Sequence, residues 1–282
     1  MIPILVTVSG NRSNILQHQL KYYKTFVKDA VVFINDSAYS NRDINDKSYD
    51  DAVALGAKTY RVDNDHRFNA TQVTNVINHY RSKYPKEWFI IADDDEFQSY
   101  NDDLPNIINY CLAHGHRFVS GGFVDRIGVD GQLSEIREDS DIWSLFPNAG
   151  FYRYPSCKAC PHKITLASGN LQVSGGQHFA AIDRKAILAR YTGHKLRYPV
   201  DRTFTQVHHF KWDNTVAERL LAVTLAKDRQ YSEECQAQYE ALKANGFSID
   251  VTKPNYYCQY SPTAKYDSYK HWPQVSSIML NI

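Results

Sequence analysis

The first hundred residues alternate short apolar runs with segments of helical spacing, and that alternation limits the chain to few architectures. Ile2 to Val8 is a continuous apolar run, as expected for a strand covered on both faces. "AVVFIN" (30–35), "AKTYRV" (57–62) and "WFIIA" (88–92) repeat the pattern. Between them lie "NILQHQLKYYKTF", a short helix around residues 50–56, and a stripe of Val73, Val76, Ile77, Tyr80 and Tyr84. Asn69 is placed to cap that last helix and Pro85 to stop it. Strands that alternate with helices imply a mostly parallel, mixed α/β sheet of Rossmann-like form with helices on its faces.

In such sheets ligands bind at the carboxyl ends of the strands. The polar breaks at Asn11–Arg12, Asn35–Asp36 and Asp93–Glu96 follow strands one, two and four, so all three are expected on one edge. The third break is the most unusual: in "WFIIADDDEF" a buried strand runs directly into four consecutive carboxylates. Four adjacent negative charges need compensation, from a solvated turn or from a bound cation. Alternate side chains of an extended segment share a side. Asp93 and Asp95 are therefore expected to act together, with Asp94 and Glu96 on the other face. Two carboxylates at an open sheet edge suit a hard cation such as Mg²⁺ or Mn²⁺, which keeps coordination sites for substrate phosphates.

Other chemistries fit less well. An EF-hand loop starting at Asp63 would have Phe68 where Gly belongs and Thr74 where Glu belongs. A phosphatase with a nucleophilic Asp would carry its acidic motif after the first strand. "SCKACPH" gathers Cys157, Cys160 and His162, but no second ligand pair follows to complete a zinc site. The net charge of +1 drives the chain toward neither nucleic acid nor anionic membrane. No segment reaches the ~20 apolar residues of a membrane span. "MIPILVTV" lacks a basic leader region, so a cytoplasmic protein is expected. After a helix at about 103–114 the pattern loosens. Helices resume at about 214–228 and 232–245, with Gly246 as a stop.

"WFIIADDDEF" resembles the W-x-x-x-x-D-x-D-E-F signature of family 2-type glycosyltransferases, especially the branch related to the family 92 enzymes. "GGFVDRIGVDGQLSEI", "WSLFP", "HKITLASGNLQVSGGQHF" and "VHHFKW" stand in the order expected of such enzymes. The resemblance covers residues 1–225 and implies a GT-A domain there, with 226–282 as a helical, Tyr-rich extension packed on it. It also implies a nucleotide-sugar donor, a divalent cation (Mn²⁺ or Mg²⁺), and a glycan or other hydroxyl acceptor.

By that resemblance Asp93 and Asp94 lie at the donor, and Asp95 ligates the metal on the diphosphate. Asp36 contacts base or ribose, and Ser9, Asn11 and Arg12 border the nucleotide. Many relatives carry Asn-Glu where this chain has Asn11-Arg12, whose arginine is free to pair with phosphate or with Asp36. In "QVHHFKW" neighbouring side chains face opposite ways, so one histidine reaches the metal; the pattern favours His209, with His208 as the alternate. An inverting displacement needs a carboxylate base, and the candidates are Asp201, Asp125 and Asp183, in that order. Gly175, Gly176 and His178 of "SGGQHF", together with Trp212, are expected on the acceptor side. Two other readings remain: a degenerate GT-A binding module without turnover, and a sugar nucleotidyltransferase.

Overall fold

The computed structural model describes residues 1–37, 40–64, 69–150, 152, 162–181, 196–199, 202, 205–225, 231–252 and 258–259. Its first half is the expected alternation. Strands β1 (Ile4–Ser9), β2 (Asp29–Ser37), β3 (Lys58–Asn64) and β4 (Trp88–Asp93) alternate with helices α1 (Ser13–Tyr23), α2 (Arg42–Ala54) and α3 (Ala70–Ser82). All four strands are parallel, in the order β3-β2-β1-β4. The chain winds outward from β1 to β3, then returns to β1's other side with β4. That reversal is the switch point at which such sheets open a crevice.

Period-two burial explains why both faces are covered. Leu5, Val32 and Ile90 pack under Leu16, Leu20 and Tyr23 of α1. Their neighbours Val6, Val31 and Ile91 pack under Val73 and Ile77 of α3. Asn69 does cap α3, accepting from the Gln72 N–H, and the helix ends at Ser82, before Pro85. Helix α2 is longer than expected and starts eight residues earlier than residue 50. Its "RDINDKSYDDAVA" has no apolar stripe; it buries Asn45, Ser48 and Ala52 and is nucleated by the Asn41 side chain accepting from Asp43 and Ile44.

The second half is antiparallel and mixed. β5 (Glu96–Ser99) follows β4 after a two-residue turn, and α4 (Leu104–His114) leads to β6 (Phe118–Ile127). A short α5 (Ile142–Leu145) precedes β7 (Asn148–Gly150) and β8 (His162–Ser168). β8 lies between β4 and β6, antiparallel to both. β9 (Gln172–Val173) and β10 (Ala180–Ala181) form a separate pair. β11 (Thr205–His209) is parallel to β6 and antiparallel to β5. Helices α6 (Val216–Leu225) and α7 (Ser232–Ala244) pack around Trp212, Val216, Leu220 and Leu242, and β12 (Cys258–Gln259) pairs with β7. Among the described residues no helix is long and apolar enough to cross a membrane.

β11 approaches β6 closely at Gly121. A methyl group there would overlap the Thr205 carbonyl oxygen and sit 2.8 Å from the Thr165 Cγ2. The obstacle is backbone and cannot rotate away. Gly121→Ala is therefore expected to destabilise the fold by about 2 kcal/mol, as overpacked cores do. Urea unfolding checks this, and an unchanged midpoint would show that the two strands are not packed as described.

Candidate active site

A cavity of about 450 Å³ opens at the carboxyl ends of β1, β2 and β4. The three polar turns do converge there: Ser9 to Arg12 from the first, Asn35 and Ser37 from the second, and Asp93 to Asp95 from the third. His209, Lys211 and Arg219 come from β11 and the segment after it, while Gly176 and Gln177 approach from the loop before β10.

An amide network fastens the turns to one another. Asn11 sits in the left-handed region at φ 60°. Its N–H donates to Asn45 Oδ1 at 2.7 Å, and its Oδ1 accepts from the Asn41 N–H at 2.6 Å. Asn45 Nδ2 in turn donates to the Asn35 carbonyl and to Asp36 Oδ1. Asp36 also accepts from Arg61 at 2.8 Å and does not line the cavity. Because β2 alternates, Asn35 and Ser37 face the cavity where Asp36 was expected.

The four carboxylates pair differently from the expectation. Asp94 and Asp95 form a tight turn rather than an extended segment, so the period-two rule does not apply. Asp93 and Glu96 meet on one cation: Lys163 Nζ donates to Asp93 Oδ2 at 2.9 Å and to Glu96 Oε1 at 2.5 Å. Asp94 and Asp95 meet on another. Arg12 Nη1 donates to Asp95 Oδ2 at 2.5 Å and stands 4.0 Å from Asp94 Oδ1. Arg12 Nη2 donates to Asp213 Oδ2 at 2.7 Å and to the Phe210 carbonyl, so its partners are not Asp36. Gln19 of α1 donates to the carbonyls of Asp93 and Glu96, fixing the turn from below.

Burial sharpens these differences. It pushes Asp94 up to about 7, against the pull of Arg12 and with the adjacent Asp95 adding to it. Burial likewise lifts Glu96 to about 7, with Lys163 opposing and Asp93 adding. Asp95 goes the other way: burial would raise it, but His209 and Arg12 hold it well below the usual carboxylate range. Asp93 is the open member of the four, its side chain 47% exposed.

His209 completes the centre. In register it lies beside Asp125 of β6 and Glu96 of β5. Its Nε2 is 3.5 Å from Asp95 Oδ2 and its Nδ1 is 3.3 Å from Asp125 Oδ1. His208 faces away, fully buried with its ring edge-on to Trp143 at 5.4 Å. Among the described residues no group of three or more His, Cys, Asp or Glu side chains is placed to hold a metal ion by itself. An imidazole nitrogen facing a carboxylate oxygen at this separation nonetheless suits a cation that draws its other ligands from a substrate. Asp95 and His209 are the residues that would hold it, with Asp93 across the same cavity.

Trp212 is fully buried, its ring 4.6 Å from Tyr152, and cannot stack on an acceptor sugar as expected. Gly176 lines the cavity, but Gly175 and His178 do not; His178 Nδ1 bonds instead with the His162 carbonyl at 2.6 Å. Asp125 is buried and also stands off the cavity, and Arg126 donates to the Phe146 carbonyl. Asp183 and Asp201, like Cys157 and Cys160, lie outside the described residues. Sequence reasoning missed Lys163, Asp213, Arg219 and Gln177. Lys163 alone left a signal, as one charge inside the apolar run "HKITLA".

No protein-family model matches the chain, and no curated protein matches it. Among solved structures it is similar to a mannose-6-phosphate isomerase from Helicobacter pylori, at 8% identity over 60% of this chain and 72% of that one, with a TM-score of 0.31. It is also similar to a mannose-1-phosphate geranyltransferase from Thermus thermophilus, at 10% identity over 86% and 63% of the two chains, with a TM-score of 0.26. Likenesses this slight carry no argument about activity and assign the chain to no family.

Asp213 offers a test of the buried charges. Burial would raise its carboxyl, but Arg12 and Arg219 outweigh that and hold it at about 2, below its ordinary 3.8. A carboxylate depressed on folding contributes stability that is full above the ordinary value and lost as pH falls through the folded one. The difference is worth about 2 kcal/mol. Asp213→Asn is expected to lose at least that at pH 7, with the gap to the parent narrowing as pH falls from about 4 toward 2. Urea titrations at pH 7 and pH 3 read it; an equal gap at both would mean that Asp213 is not held ionised by the arginines.

Proposed function

We propose that the cavity binds a nucleotide-diphosphate sugar and that the protein is a metal-dependent, inverting glycosyltransferase of GT-A type acting on a glycan or other hydroxyl acceptor. The observation that carries this is the juxtaposition of Asp95 and His209 across 3.5 Å, at a switch-point cavity that Arg12, Lys211 and Arg219 also line. Acidic and imidazole ligands beside basic side chains are what a diphosphate bridged to a cation requires. The likeness to family 2-type enzymes in residues 1–225 supports the same assignment, with 226–282 as an extension.

In this mechanism the acceptor oxygen bonds to the anomeric carbon as the bond to the diphosphate oxygen breaks. The hydroxyl proton passes to a carboxylate, for which Asp201 is the first candidate and Asp183 the second. A bound Mn²⁺ or Mg²⁺ would offset the charge that grows on the leaving diphosphate. Asp95 and His209 would hold the ion's protein side, and Lys211 and Arg219 supply fixed positive charge at the cavity wall. Asn35 and Ser37 offer polar atoms to the nucleoside, and Val8, Ala70 and Val73 offer apolar surface to its flat parts.

Calorimetric titration with UDP-, GDP-, dTDP- and CMP-sugars, in Mn²⁺ and then in EDTA, tests the proposal. Tight binding of one nucleotide class is expected in Mn²⁺ and is expected to vanish in EDTA. Asp95→Asn should abolish it with the fold intact. Asp95→Ala is the poorer test, because it removes the hydrogen-bond acceptor of Arg12 as well as its charge partner. Unchanged donor affinity in Asp95→Asn would sink the assignment. Donor cleavage without transfer to any acceptor would point to a binding module, and release of pyrophosphate on incubation with a sugar phosphate and a nucleoside triphosphate to a nucleotidyltransferase.

A further inference from the structure

We infer that helix α7 of the C-terminal segment belongs to the binding site, with Gln238 as a positioning residue for Lys211. This role rests on the diphosphate reading of the cavity proposed above. On the inward face of α7, Cys235 and Leu242 join the apolar cluster around Trp212, Val216 and Leu220. Gln238 stands between them on the same face, at i+3 from the first and i−4 from the second, and is fully buried. An amide in an apolar stripe costs free energy unless its polar atoms are bonded. Gln238 Oε1 accepts from Lys211 Nζ at 2.6 Å, and its Nε2 donates to Glu234 Oε1 at 3.0 Å, one turn earlier. A lysine only donates and a carboxylate accepts, so these two partners fix the orientation of the amide.

Lys211 lines the cavity, and it is fastened at both ends from the helices that follow it. Arg219 of α6 donates to the Lys211 carbonyl at 2.8 Å, while Gln238 of α7 holds the ammonium. That ammonium also stands 5.4 Å from the centre of the Trp212 ring. A long lysine side chain has many rotamers, and ordering it on a ligand weakens binding. Here the ordering is done on folding, before a ligand arrives.

The nature of the holder matters as much as its place. Arg12 and Arg219, the guanidinium groups of the cavity, donate to carboxylates. Gln238 accepts from Lys211 without bringing a negative charge, so it orients the ammonium and does not offset it. Tyr231, at the start of α7, lines the same cavity. The C-terminal segment thus reaches the ligand space directly as well as through Lys211.

Titration of the full chain with inorganic pyrophosphate in Mg²⁺, followed by ³¹P NMR, tests the role of Gln238. Lys211→Met is expected to weaken binding by about 10-fold, the worth of one hydrogen bond to a charged group. Gln238→Leu is expected to weaken it by about 3- to 10-fold, the cost of ordering one long side chain. In the double variant the leucine should add nothing to the loss from methionine, because Gln238 acts through Lys211. Replacing both partners by apolar groups is nearly neutral for stability, so the double variant is expected to fold. Should Gln238→Leu alone not fold, Gln238→Glu carries the test at the same size. Its carboxylate offsets the ammonium, so affinity should fall, and should not fall further once Lys211 is methionine. Parent affinity in the Gln238 variants or in Lys211→Met overturns the inference, as does a parent that binds no pyrophosphate. A loss from the Gln238 variants that is as large without the lysine also overturns it, since that marks a merely structural glutamine. The expected pattern with pyrophosphate, but no binding of any nucleotide sugar, leaves Gln238 in its role and removes the donor reading. Nucleotide-sugar binding that ignores Lys211→Met does the reverse.

Discussion

The guanidinium of Arg12 is shared between Asp95 and Asp213, residues from the middle and the late part of the chain, and most of the site is arranged around it. Arg12 stands at the N-terminal boundary of α1, where its side chain makes no capping bond and is released to reach across the sheet edge. A buried cation of this kind is stable only while its carboxylates stay ionised. Asp213 and Asp95 do so, and the guanidinium is held charged in return, with their attraction outweighing the cost of burial. The β1 turn, the acidic turn and the segment entering α6 are thereby locked to a common centre.

Lys163 plays the matching part on the other side. It ties Asp93 to Glu96 and leaves Arg12 to serve Asp94 and Asp95, so four adjacent negative charges are divided between two cations from distant strands. Neither cation cancels the cluster. Asp94 and Glu96 are both lifted to about 7, chiefly because burial disfavours their charged forms, with neighbouring carboxylates adding to it. The cavity thus has carboxylates on its floor and arginine and lysine on its wall.

How much of this is legible in the sequence depends on the range of the interaction that decides each feature. The first four strands, α3 with its Asn69 cap, and the convergence of three polar turns rest on local periodicity and on chain direction, and all are found. Helix α2 reads as shorter than it is because its buried positions are Asn45, Ser48 and Ala52, which carry almost no apolar signal. The aspartates pair against the alternation rule because a two-residue turn replaces the extended backbone that the rule assumes. Trp212 reads as available to a sugar because residue type does not disclose burial. Asp36 reads as a nucleoside contact, although one residue along a strand reverses the side faced. Lys163 shows only as a charge in an apolar run, and the roles of Asp213 and Arg219 do not show at all, since these roles exist only through partners 67 or more residues away for the lysine and across the whole sheet for the Arg12–Asp213 pair.

The insertion of β11 between β5 and β6 has a consequence for how the chain is made. β5 ends at Ser99 and β6 at Ile127, both well before the strand that joins them, and until Thr205–His209 emerges their facing edges have no ladder between them. A nascent chain at that stage carries open strand edges and a cluster of carboxylates without its imidazole. The bonds that complete the sheet are the same ones that deliver His209. The polypeptide therefore closes this seam and brings His209 to Asp95 and Asp125 in a single late event.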